Sequence, residues 1–321
     1  MHEELADEPD DVLRLVAAEG LLAPGRRVLV MLSGGRDSVC LLDVAVRVAG
    51  RGSVSALHVN YGLRPGSDED ERHCERLCER LGVELAVKRA PAEHRGNLQA
   101  WARQFRYRAA GDLAHALDAD IAVGHTATDQ VETILYRLAS SPSRRALLGM
   151  RARDRLGEDR HRWLVRPLLN VTRSETATYC RTHGLVWRED ETNEQEQFAR
   201  SRIRAALVPA LRAIHPAAER NVLALAQILR AEADVLDELV ADVLAGTADV
   251  PLARLRSLPP ALARLVVQRL ADDAAGEPAP GTARRLEELL SLPERGKVAI
   301  DLPHGVRALA EEGSLRFIRQ P

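Results

Sequence analysis

The segment that most constrains this chain is Arg27–Ser38. Val28-Leu29-Val30-Met31-Leu32 is a continuous apolar run of strand length. A strand that is apolar at every position must be covered on both faces, as in a parallel sheet. It ends in Ser33-Gly34-Gly35-Arg36-Asp37-Ser38, and apolar residues at helical spacing resume over 39–48. Successive parallel strands need a crossover, and that crossover is right-handed. The next stretches repeat the alternation. Strands are predicted at Val54–Asn60, Glu84–Lys88 and Asp120–Gly124, and helices at 9–22, 68–81, 97–117 and about 129–139. The expected fold class is α/β, a doubly wound parallel sheet.

The turn after the first strand suits an anion. Its glycines let backbone N–H groups approach closely, the following helix adds unpaired donors and a positive dipole end, and Ser33 and Ser38 add hydroxyls. The loop is shorter than GxxxxGK(S/T), lacks its lysine, and is not GxGxxG. Read physically, it fits a compact pyrophosphate, with Asp37 free to hold Mg²⁺ or to brace the loop. A plain Gly-Gly turn capped by Ser or Asp would share these residues.

Residues 140–166 interrupt the alternation. They contain Pro142, Gly149, Gly157 and eight arginines against three acids, and read as a loop or arm rather than a packed element. A helix over 173–183 follows, then a polar loop from Glu189 to Gln197. Pro209 and Pro216 flank the expected junction between a first domain, 1–213, and a smaller, mostly helical second domain, 214–321. There Val222, Leu225, Leu229, Leu236 and Leu239 mark a long amphipathic helix. Two more helices are separated by the turn-rich residues 275–281, and Lys297–Ile318 reads as short strands.

Net charge is −2, from 45 basic and 47 acidic residues, which alone speaks against a nucleic-acid partner. The average hides local sign, because 144–166 and 200–220 carry basic excesses of five and four. All basic residues except Lys88 and Lys297 are arginine. Arginine suits bidentate phosphate contact, although a compositional bias would produce the same excess. Only Phe317 among the aromatics lies beyond Phe198, so base stacking by the second domain is not expected. No run of about 18 apolar residues occurs, and the acidic N-terminus lacks a signal core. Cys40, Cys74, Cys78 and Cys180 are sparse. Together these point to a reduced, cytoplasmic protein with no membrane partner.

SGGRDS after a strand resembles the pyrophosphate loop of the N-type ATP pyrophosphatases (PP-loop enzymes), which cleave ATP between the α and β phosphates and leave a substrate oxygen adenylated. Four further segments resemble the tRNA(Ile)-lysidine synthetases. The first is His58-Val59-Asn60-Tyr61-Gly62-Leu63-Arg64. The second is Gly96-Asn97-Leu98-Gln99-Ala100-Trp101-Ala102-Arg103-Gln104-Phe105-Arg106-Tyr107. The third is Gly124-His125-Thr126-Ala127-Thr128-Asp129-Gln130-Val131-Glu132-Thr133. The fourth joins Trp187–Asn193, Arg200–Arg204 and Leu207-Val208-Pro209. Together they cover about residues 27–213. Two departures stand out: Thr128 replaces the first Asp of the family's usual pair, and Ala139–Arg145 replaces a glycine-rich stretch.

The resemblance implies a PP-loop, HUP-like fold, with ATP and Mg²⁺ as cofactors. It implies as substrates free L-lysine and the tRNA(Ile) with a CAU anticodon. The wobble cytidine would be adenylated at its C2 oxygen, and lysine would then displace AMP to form lysidine. Ser33, Gly34, Gly35, Arg36, Asp37, Ser38, His58 and His125 become candidate ATP contacts. Adenylation develops charge on phosphates, so fixed donors and Mg²⁺ are needed. Asp37 and Asp129 are the candidate metal ligands, because each follows the C-terminal end of a predicted parallel strand, where ligands bind in such sheets. Glu132 shares a helix face with Asp129, an arrangement that acidic helix capping would also produce.

Arg103, Arg106 and Arg204 complete the candidate catalytic set. Arg103 and Arg106 share a face and would meet phosphate or the activated cytidine, or form a solvated arginine face. Arg144, Arg145, Arg151, Arg153, Arg155 and Arg200 are candidate tRNA contacts. Glu189, Asp190 and Glu191 could meet the lysine ammonium or form a solvated acidic loop. A homodimer is compatible with the sequence. Two rival functions share the phosphate loop: a tRNA cytidine thiolase, and a non-catalytic adenine-nucleotide-binding protein. The first would need cysteine pairs, and Cys74 and Cys78 are four apart with no second pair.

Overall fold

The computed structural model describes residues 10–63, 65–91, 97–141, 144–156, 159–188 and 199–320. Two compact units result, Met1–Ala224 and Leu225–Pro321.

In the first unit, α1 (Asp10–Ala18), β1 (Val28–Met31), α2 (Arg36–Ala49), β2 (Val54–Asn60), α3 (Ser67–Leu81), β3 (Glu84–Arg89), α4 (Leu98–Leu117), β4 (Asp120–Ala122) and α5 (Ala127–Ser140) follow in order. Next come β5 (Arg153–Leu156), β6 (Asp159–Val165), α6 (Arg173–Thr182) and α7 (Ala199–Arg202). A π turn (Ile203–Leu207), α8 (Val208–Ile214) and the start of α9 (Ala218–Leu244) close the unit. The sheet order is β3-β2-β1-β4-β6-β5. All neighbours are parallel except the β5–β6 pair. The order reverses direction at β1/β4, and in such sheets the crevice at that point is the ligand site.

Strand β1 shows why both faces must be covered. Val28 and Val30 join the core with Val39, Leu42, Cys74, Tyr179 and Cys180 from α2, α3 and α6. Leu29 and Met31 point the other way, against Leu57, Ile121 and the small Ala110 and Ala114 of α4. Successive side chains alternate faces, so a strand buried on both has no polar position to spare.

The reading of 140–166 as an unpacked arm is overturned. β5 and β6 form a hairpin, and β6 pairs with β4 at Ile121↔Leu164 and Ala122↔Val165. Leu164 and Val165 are buried on opposite faces. The strand was hidden because its apolar residues are few and its partner is an arginine-rich edge strand. Charged residues suit such an edge, since they discourage pairing with another chain.

The second unit holds the rest of α9 with β7 (Asp249–Pro251), α10 (Leu252–Ser257), α11 (Pro260–Ala275), α12 (Leu286–Leu290), β8 (Lys297–Leu302), β9 (Val306–Glu311) and β10 (Ser314–Arg319). Its four strands form an antiparallel sheet in the order β7-β10-β9-β8. The last three strands lie where the sequence places them; β7 is too short to carry a pattern. Among the described residues, no helix is long and apolar enough to cross a membrane.

Candidate functional site

The loop Ser33–Ser38 leaves β1 and enters α2 at its N-cap, Gly35. Gly34 adopts φ +84°, and a Cβ there would lie 3.3 Å from Cys74 Sγ. Ser38 braces the turn: its Oγ accepts from the Ser33 amide at 3.1 Å and donates to the Gly35 carbonyl at 2.8 Å. Ser33 Oγ lies 3.0 Å from it. The α2 N-terminus brings its positive dipole end to this turn. Gly124, after β4, presses against the same turn, since a Cβ there would sit 3.1 Å from the Asp37 carbonyl carbon and oxygen. His58 is buried in β2, with Nδ1 2.9 Å from the Leu32 carbonyl oxygen. That contact ties β2 to the residue preceding the loop.

Asp37 and Asp129 are brought together, but through a residue that the sequence reading missed. Arg173, the first residue of α6, contacts Asp37 Oδ2 through Nε at 3.3 Å and Asp129 Oδ1 through Nη2 at 2.9 Å. Its Nη1 stands 3.7 Å from Glu132 Oε1. Arg204 grips the buried Glu132 with both ends of its fork, at 2.7 and 3.0 Å, and stands 3.9 Å from Asp129. It sits in the π turn, held by packing of Ile203 and Val208 on Val131. Arg36 faces Asp37 at 3.3 Å, and Thr176 donates to Asp37 Oδ1 at 2.6 Å. The Thr126–Asp129 capping box fixes Asp129 at the start of α5. Burial pushes the Asp129 carboxyl up, but the Arg173 charge and the Thr126 hydrogen bonds outweigh it and hold the group below its ordinary value. Thr172 and Glu175 form a capping box, whose T-x-x-E spacing is a sequence signal for a helix start. It places Arg173 at a helix start without revealing what it faces.

His125 follows β4 and accepts from Arg166 Nε at 3.3 Å through Nδ1, which leaves the ring proton on Nε2. Burial lowers its pKa to about 4, helped by Arg166, Arg106 and Arg103 and opposed by Asp129. The ring is therefore a neutral donor near pH 7. The buried Arg166 also donates to Asp154 in the β5–β6 hairpin at 2.7 Å. Sequence reasoning treated it as the end of an arm.

Arg103 and Arg106 flank the Tyr107 ring, at 4.8 and 5.7 Å from its centroid. Both are among the charges that help lower the His125 pKa. Beside them Trp101 stacks on Phe105, and Tyr61 donates to the Ala102 carbonyl at 3.1 Å.

The candidate tRNA arginines divide by place. Arg144 and Arg145 lie in a short turn after α5, the first half-buried. Arg151, Arg153 and Arg155 are exposed, and Arg153 and Arg155 stack over Trp163 at 3.8 and 4.7 Å. The hairpin is moored to α5. Gln130 bonds both the amide and the carbonyl of Met150, and Gly149, at φ +63°, leaves no room for a Cβ beside Gln130. Thr128, at the position of the family's missing Asp, accepts from the Arg173 amide at 3.3 Å. Arg200 falls in α7, but its side chain lies outside the described residues, as do Glu189, Asp190 and Glu191.

Two carboxylates and a nearby phosphate loop fit Mg²⁺, which takes oxygen ligands and is commonly held by one or two carboxylates plus substrate phosphates. Among the described residues, no group of three or more His, Cys, Asp or Glu could hold a metal ion. The four cysteines are free and buried. Burial pushes Cys74 and Cys78 up to about 12, so neither is a ready thiolate.

Comparison with known proteins gives the class first. The family model of the PP-loop domain matches residues 9–211. Among curated relatives, the tRNA(Ile)-lysidine synthase of Symbiobacterium thermophilum is 36% identical over 340 residues, covering 97% of this chain and 69% of that protein. That of Salinispora tropica is 35% identical, covering 91% and 90%, and that of Dehalococcoides mccartyi 33%, covering 91% and 66%. The chain thus spans about two thirds of the length of some relatives and nine tenths of others. A solved U34-tRNA thiolase from Methanococcus maripaludis shares the fold, with TM-score 0.56 and 16% identity over 69% of this chain and 78% of that one. The chain belongs to the tRNA(Ile)-lysidine synthase family.

Proposed function

We propose that this chain ligates free lysine to C2 of the wobble cytidine of the tRNA(Ile) with a CAU anticodon, forming lysidine, AMP and pyrophosphate. Its similarity to lysidine synthases along nearly the whole chain carries this reading. The cluster beside the phosphate loop suggests how the residues share the work. The cytidine C2 oxygen attacks the α-phosphorus of ATP and pyrophosphate leaves. Loop amides and the Ser33 and Ser38 hydroxyls hold the departing group, whose charge is stabilised by donors already in place. The lysine amine then attacks C2, the bond to AMP breaks, and a proton is lost from the nitrogen. His125 offers Nε2–H to a phosphate or to the base without adding charge. Asp37 and Asp129 would hold Mg²⁺, which when bound neutralises phosphate charge. Arg103 and Arg106 would face the activated cytidine.

The exposed arginines of the β5–β6 hairpin, with Arg144, Arg145 and Arg200, would grip tRNA phosphates. Residues 214–321 would add shape and backbone contact. A tRNA substrate supports a cytoplasmic site of action. The test supplies purified protein, ATP, Mg²⁺, labelled lysine and a CAU-anticodon tRNA(Ile) transcript. AMP release with lysine label in tRNA is the expected result. Sulfur incorporation without lysine would replace this reading with a thiolase. ATP binding without AMP would replace it with a nucleotide sensor.

A further inference from the structure

One guanidinium, that of Arg173, lies within 4 Å of three acids of the site: it hydrogen-bonds Asp129 and stands 3.3 Å from Asp37 and 3.7 Å from Glu132. Its backbone is fixed. It opens α6 behind the Thr172/Glu175 capping box, and its amide donates to Thr128 Oγ1. Its side chain is a quarter exposed, so one side of it faces solvent, and its Nε is buried without a hydrogen-bond partner. Without it, Asp37 would retain Arg36, and Glu132 would retain Arg204.

Charge decides what can replace it. Three carboxylates face three guanidinium groups, Arg36, Arg173 and Arg204, so the cluster is neutral as it stands. A bare divalent cation would add two positive charges to a neutral, half-buried cluster and would have to displace Arg173 unaided. A cation arriving with a triphosphate brings net negative charge. The phosphates engage the loop amides, and the freed guanidinium gains a new anion nearby. At separations of about 4 Å in a protein-like medium, a unit charge is worth far more than thermal energy.

We propose that Arg173 is the resident counter-ion of this cluster, excluding a bare divalent cation from Asp37 and Asp129 and yielding them only to one that arrives with nucleotide. Arg173 is thus a positioning residue that makes metal loading depend on ATP. This rests on the nucleotide-site reading above, not on the identity of the tRNA product.

The test uses Mn²⁺ as the probe, with bound and free ion counted by electron paramagnetic resonance on the full chain. Wild type should bind Mn²⁺ weakly alone and tightly with α,β-methylene-ATP. Arg173→Gln should bind Mn²⁺ without nucleotide at least about tenfold more tightly than wild type, the effect of removing one adjacent positive charge. Arg173→Lys, which keeps the charge, should stay close to wild type. Equal nucleotide-free affinity in wild type and Arg173→Gln would overturn the proposal.

Should the Gln variant fail to fold, wild type with ¹⁵N-labelled arginine provides the second measurement. The Arg173 Nε signal, assigned by its loss in Arg173→Lys, should be unmoved by Mg²⁺ alone and shifted by Mg²⁺ with α,β-methylene-ATP. A signal that does not move with nucleotide overturns the proposal equally. Neither readout requires lysidine formation. A chain that makes lysidine but shows no Arg173 effect refutes this inference alone, whereas the converse refutes only the proposed reaction.

Discussion

Replacing Gly124 by Ala probes the site at the point where its two halves meet. The added Cβ would lie 3.1 Å from the Asp37 carbonyl carbon and oxygen and 3.2 Å from the Ser38 amide nitrogen, where ordinary contact begins at 3.4 Å. All three atoms are backbone, so no side-chain rotation can make room. Either the exit of β4 or the first turn of α2 must move by about 0.3 Å. Overpacking of this kind costs about 1–3 kcal/mol, and a unit of this size loses about 2–4 °C in Tm per kcal/mol. The first turn of α2 carries Asp37 and Ser38, so the displacement reaches the chemistry. At about a hundredfold per ångström of misplacement, AMP formation should fall roughly fourfold. Thermal unfolding and AMP release with the tRNA transcript measure the two effects. Gly52→Ala is the control: nothing lies within 4 Å of its Cβ, and it should change stability by less than about 0.5 kcal/mol. A Gly124→Ala protein with wild-type Tm and rate would refute the close approach of β4 to α2 and the reasoning built on it.

Three further outcomes are expected. Asp37→Ala should abolish AMP formation while tRNA retention on filters stays largely intact; parallel loss of both would remove Asp37 from the chemistry. Neutralising Arg151, Arg153 and Arg155 together should weaken tRNA binding and flatten its dependence on salt, by up to about 0.8 in log–log slope for each phosphate that is no longer neutralised. An unchanged slope would show that the hairpin is not a phosphate-binding surface. His125, whose folded pKa lies near 4 against about 6.5 unfolded, contributes stability that is complete above about pH 6.5 and is lost as pH falls toward 4. His125→Gln should flatten that part of the pH–stability curve, and an identical curve in denaturant titrations would contradict the buried neutral ring.

The sequence by itself determined the strand–turn–helix unit at the phosphate loop and the parallel sheet that follows from it. Continuous apolar runs, glycine turns and helical spacing are local patterns, and β1, β2 and α4 lie almost where those patterns place them. It also singled out Asp37 and Asp129, which the structure brings to one arginine, because each follows the C-terminal end of a parallel strand. Only the tertiary structure decided what those carboxylates face. Arg173 lies 136 positions from Asp37 along the chain, and its local capping box marks a helix start without naming what the side chain faces. The same dependence on the fold holds for Arg166, which joins the basic hairpin to His125. It also holds for the hairpin itself, whose inner strand is defined by its pairing with β4 rather than by its own composition. Local physics writes periodicity and capping into the chain. An ion pair between distant helices leaves no periodic trace, and in a chain this rich in arginine its cation is visible only once the fold has chosen among them.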